Sequence, residues 1–112
     1  MNKTTNNPQF TKMIIKAKAT SYFNIVVDKF YYHVNENWDR MMELANKIEA
    51  EGPNKRWETK EQQLAWTIAR ELKYTTWNFL PYTGDGVFTL NDDELNALFI
   101  AAFRSVKKML TE

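Results

Sequence analysis

From Phe10 to Glu51 the chain contains neither Gly nor Pro. In that stretch Phe10, Met13, Ala17, Thr20, Phe23, Val27, Phe30, Val34, Trp38, Met41, Ala45 and Ile48 recur at a mean spacing of about 3.5 residues, the repeat of one helix face. A half-buried strand alternates every second residue instead. The pattern predicts an all-α fold, a small bundle of three or four helices led by a long N-terminal helix. That helix is either unbroken or broken near position 20 or position 35, where Thr20, Ser21 and Asn35 are good capping residues.

Within this stretch Tyr22–Val34 is apolar on almost every side, as a central, well-covered helix would be. Ile25, Val26, Val27 and the tyrosines also favour a strand. No hairpin signal offers such a strand a partner, and the helical stripe continues on both sides.

The remaining punctuation is clear. Gly52 and Pro53 end the helical run. Thr59 and Gln62 have the spacing of a capping box, in which side chains satisfy free backbone N–H groups at a helix start. That helix is expected to run to about Leu80, ahead of Pro81. Pro81–Leu90 reads as the main loop, with Gly84 and Gly86 supplying turn geometry and Tyr82 and Phe88 as its aromatic contacts. Asn91 and Glu94 form a second, weaker box before a last helix carrying Leu95, Leu98, Phe99, Ala102, Val106 and Met109. Met1–Gln9 is polar and reads as a flexible N-terminus, leaving residues 10–112 as a single helical domain.

The helix starting at Thr59 carries two stripes. Leu64, Ile68, Leu72, Thr75 and Phe79 share one face, while Trp66, Arg70, Lys73 and Trp77 lie nearly opposite. A surface helix needs only one apolar stripe. Two readings of the second stripe stand side by side. Either the Phe10–Ile48 helix packs over it, with Arg70 and Lys73 reaching to water, or it is a contact face for a partner or ligand. Trp and Arg dominate interface hot spots, and aromatics beside cations also stack bases and hold phosphates. Lys55-Arg56-Trp57 and Lys29 beside Phe30, Tyr31 and Tyr32 repeat the pairing of cation and aromatic ring.

Catalytic equipment is sparse. His33 is the single histidine and lies in an apolar stretch, so it reads as a structural, partly buried residue. A zinc site would need further N or S ligands, and there is no cysteine to supply them. Neither Ser21 nor Ser105 sits in a nucleophile elbow. Thr83-Gly84-Asp85-Gly86 matches no phosphate-binding loop, and Val87 and Thr89 break a calcium-loop pattern from Asp85. Asp92, Asp93 and Glu94 match a helix N-terminus, and Glu36, Asp39 and Glu43 make a solvated face. No cofactor and no metal are expected.

Charge is uneven although the net charge is only +1. Lys3, Lys12, Lys16 and Lys18 precede the first acid, Asp28, whereas acids outnumber bases after Pro81. So small a net charge lacks the basic field that duplex nucleic acid requires. No apolar run approaches the ~20 residues of a membrane span, and no signal peptide is visible, so a cytoplasmic location is expected. Residues with AT-rich codons (Phe, Tyr, Met, Ile, Asn, Lys) far outnumber those with GC-rich codons (Gly, Ala, Arg, Pro), pointing to an AT-rich bacterium or its phage.

These features favour a non-enzymatic interaction protein that binds and inhibits or regulates a cellular protein. The setting they suggest is a phage or mobile-element accessory protein acting on host machinery, with a protein partner, a homo-oligomer or both. The alternative is a small-ligand protein that captures a nucleotide-type anion between aromatic and Lys/Arg side chains. Either function would use Trp66, Arg70, Lys73 and Trp77.

Overall fold

A computed structural model describes residues 8–20, 23–76 and 92–111, and these residues form five helices. They are α1 (Pro8–Lys18), α2 (Phe23–Glu36), α3 (Trp38–Glu51), α4 (Lys60–Thr76) and α5 (Asp92–Thr111). No strand occurs among the described residues, so Ile25–Val27 belongs to a helix. The all-α expectation holds; the long N-terminal helix and the count of three or four do not.

The run without Gly or Pro is three helices because it breaks near both expected positions, although the second break falls at Asn37 and not at Asn35, which is helical. At the first, the Thr20 backbone N–H and hydroxyl both donate to the Ala17 carbonyl, at 3.2 and 2.8 Å, and tighten the end of α1. At the second, Asn37 takes φ −118° and ψ 31°, away from helical values. Its amide Nδ2 donates to the His33 carbonyl at 2.8 Å, so its side chain caps the end of α2 rather than the start of α3. α3 then ends at Gly52, whose φ of 83° favours glycine and whose N–H donates to the Ile48 carbonyl.

The centre of the fold is α5, not the Tyr22–Val34 segment. Every residue from Leu95 to Ala102 is buried, and α1, α2 and α4 all pack against this helix. On α2, Phe23, Val26, Val27, Phe30 and Val34 face inward while Ile25 and Tyr32 are exposed. Aromatic bulk on the outer face of α2 made it look covered in sequence; the small Ala97, Ala101 and Ala102 let neighbours close in around α5. α3 is held differently. It packs mainly on α4, with Met41 and Ile48 as its buried residues.

α4 starts as the capping box requires, with one shift. Thr59 Oγ1 accepts from the Gln62 N–H at 3.0 Å, but Gln62 Oε1 accepts from the Glu58 N–H at 2.7 Å rather than from Thr59. The Asn91 half of the second box, the Pro81–Leu90 loop, Met1–Asn7 and the end of the α4 pattern beyond Thr76 lie outside the described residues.

Candidate functional site: a cleft between α3, α4 and α5

The Trp66 stripe is only partly within the described structure. Trp66 is half-buried and Arg70, one turn on, is exposed. Lys73 lies in α4 but its side chain, like all of Trp77, lies outside the described residues. Trp66 is tied into the fold on three sides. Its indole N–H donates to Asn96 Oδ1 at 2.7 Å, its ring meets Phe99 edge-on with centroids 5.0 Å apart, and Trp57 stacks on it at 5.8 Å. The Arg56 guanidinium in turn lies 6.0 Å from the Trp57 ring centroid. The Lys55-Arg56-Trp57 cluster and Trp66 are therefore one assembly. α5 and the segment before α4 cover this tryptophan, rather than a long N-terminal helix.

That assembly stands on a buried polar network. Asn96 and Gln62 are both buried, and Gln62 Nε2 donates to Asn96 Oδ1 at 3.1 Å. Asn96 thus accepts from two side chains on α4. No buried side-chain nitrogen or oxygen among the described residues lacks a partner.

A different surface is open. α3 and the second half of α5 flank a cleft of about 470 Å³ whose floor is Val34, Met41, Leu64, Ile68 and Val106. Those floor residues are buried. On its rim Trp38 is 42% exposed and Met42 41% exposed, with Phe103 and Leu110 half-buried. Trp38 occupies a position of the long apolar stripe, yet the turn at Asn37 carries it out of the core. That mismatch is the sequence signal for the cleft: a tryptophan on the core face, next to a good capping residue.

Ion pairs hold the walls. At one end the Arg40 guanidinium makes a bidentate pair with Glu71, both contacts 2.7 Å, and His33 Nε2 meets the same carboxylate. One acid on α4 therefore joins the end of α2 to the start of α3. The hydrogen bond from Arg40 holds the Glu71 carboxyl below the usual range; partial burial opposes this, and the bond to His33 adds to it. At the other end Lys60 pairs with Glu49, and Arg104 makes a bidentate pair with Glu61 at 2.8 Å. Glu49 is likewise held low, chiefly by its hydrogen bond from Lys60, with a weaker pull from Lys107.

Among the described residues no group of acids and His could hold a metal ion, and no helix is long and apolar enough to cross a membrane. His33 is spent on Glu71, and Glu36, Asp39 and Glu43 are exposed. The fold and site thus define an all-helical domain with an open apolar cleft. No protein-family model, curated protein or solved structure matches the chain.

Proposed function

We propose that this chain is a non-enzymatic interaction protein that regulates or inhibits a cellular protein by seating part of it in the α3–α4–α5 cleft. The observation that carries this reading is the exposure of Trp38 and Met42 above a floor of buried aliphatic side chains. Tryptophan anchors dominate binding energy at protein interfaces, and methionine adapts its shape to what it meets. The amino-acid bias fits an AT-rich bacterium or its phage, and a small domain without catalytic motifs fits a phage or mobile-element accessory protein acting on host machinery.

The test is capture from a bacterial lysate. A discrete partner should be retained by the parent chain and lost with Met42→Glu or Ala45→Arg, both at cleft positions outside the buried core. The purified partner should then change its activity on adding the parent chain. No retained partner, or equal retention by both variants, sinks this reading. Arg70→Ala belongs in the same assay. If it alone abolishes capture, the contact lies on the Trp66 stripe instead.

A further inference from the structure

The charge along the cleft points to its occupant; this inference rests on reading the cleft as a protein-binding site. The charged side chains of its lining, Lys60, Glu61 and Lys107, are gathered at one end by their partners. Lys60 pairs with Glu49, Lys107 acts on that same Glu49, and Glu61 is paired with Arg104. The Glu61–Arg104 pair is balanced. Lys60 and Lys107 share Glu49, and among the described residues Lys107 has no carboxylate within salt-bridge distance. Among the described residues that end therefore sets three cations, Lys60, Arg104 and Lys107, against two carboxylates, Glu49 and Glu61. The other end, fixed by the Arg40–Glu71 pair, is lined by Val34, Trp38, Met41 and Ile68 and is apolar.

Size argues for a helix. The flanks Trp38–Asn46 and Phe103–Thr111 each advance roughly 12 Å along their axes, just over two helical turns. A small ligand deep in the cleft would leave Trp38 and Met42 wet, whereas a helix lying along it would cover them. Apolar residues at i, i+4 and i+7 span the same length.

We propose that the cleft takes an amphipathic helix of a partner protein, about two turns long, with apolar anchors at i, i+4 and i+7 and acidic residues at the end that meets Lys60 and Lys107. The acids complete the charge that Glu49 leaves unmatched, and the anchors fill the apolar end.

Synthetic helices test this apart from any cellular partner. Peptides of about 15 residues, long enough for measurable helicity, carry Leu at i, i+4 and i+7 and a block of Glu, Gln or Lys at either end. Binding is read by fluorescence anisotropy of a labelled peptide. One of the two Glu-block peptides should bind about fivefold tighter than its Gln counterpart, the worth of a good surface ion pair, and the Lys-block version should be weaker still. The preference should shrink with added salt. Lys107→Glu, at an exposed position that cannot disturb the core, should reverse the ranking, and Ala45→Arg should abolish binding of every peptide. A ranking indifferent to Lys107→Glu, binding that survives Ala45→Arg, or no binding at all overturns the proposal. So does a dimer in sedimentation that Ala45→Arg dissociates, since the occupant is then a second copy. If a lysate partner is captured through Met42 while the peptides show no charge ranking, this inference falls and the broader reading of function stands.

Discussion

Asn96 is the side chain on which the interior's polar balance turns. Its Oδ1 accepts from both Gln62 Nε2 and Trp66 Nε1, so truncating it orphans two donors at once. Each buried unsatisfied group costs about 1–3 kcal/mol. Asn96→Ala is therefore expected to lower stability by about 2–4 kcal/mol in urea denaturation, with a loss of the Trp66 near-ultraviolet signal. A cost below about 0.5 kcal/mol, the range of ordinary surface changes, would show the network to be dispensable. Glu71 makes a second residue-scale prediction. Its folded pKa lies below its unfolded value, because Arg40 and His33 favour the carboxylate. Its stabilising effect is thus fully present above the unfolded value of about 4.3 and is lost as pH falls through the folded value. Urea midpoints taken between about pH 3 and 7 should fall at the acid end, and Glu71→Gln should flatten part of that fall. An unchanged acid slope in the variant would mean that the Arg40–Glu71 pair contributes nothing to stability. The capping pair Thr59 and Gln62 was legible in sequence because its chemistry is local. Asn96 was not, because its partners Gln62 and Trp66 come from another helix.

At the scale of the elements, the apolar stripe was a reliable guide to which side faces inward and a poor one to continuity. Of its members, Phe10, Ala17, Phe23, Val27, Phe30, Val34, Met41 and Ile48 are buried, although they belong to three helices. A break of one residue at Asn37, or of a few around Thr20, scarcely shifts the phase of the stripe. Trp38, directly after the turn, is the member that escapes the core, and with it the cleft went unread. The cleft also needs α4 and α5 beside α3, a pairing that no local pattern specifies. How α3 is held has a dynamic consequence. It rests on two buried residues and two ion pairs at its ends, whereas α5 is buried along two full turns. Surface ion pairs hold helices weakly, by about 1 kcal/mol or less. Amides of α3 should therefore exchange with solvent faster than those of α2 and α5, through local opening at Asn37 rather than global unfolding. Equal protection across the three helices would show α3 to be as firmly seated as the core.

For the whole molecule, the uneven charge noted in the sequence is met partly within the chain. Basic α1 packs against α5, whose start is acidic, and Lys16 Nζ lies 3.6 Å from Glu94. Charge does not hold α1 there. The Lys16 side chain is 77% exposed, and pairs of that kind contribute up to about 1 kcal/mol. Phe10 is 4% exposed and belongs to the main core, with Met13 and Ile14 packed against it. Removing such a ring leaves a cavity and forfeits its transfer free energy, together about 3–5 kcal/mol. The two forces separate cleanly by substitution. Lys16→Ala is expected to shift stability by less than about 1 kcal/mol and to lose what effect it has as salt is raised. Phe10→Ala is expected to cost about 3–5 kcal/mol at any salt concentration, a large part of the stability of a domain this size. Urea denaturation at low and high salt reads both. Comparable losses from the two substitutions, or a Phe10→Ala cost that fades with salt, would make α1 an electrostatically held arm rather than a full member of the core.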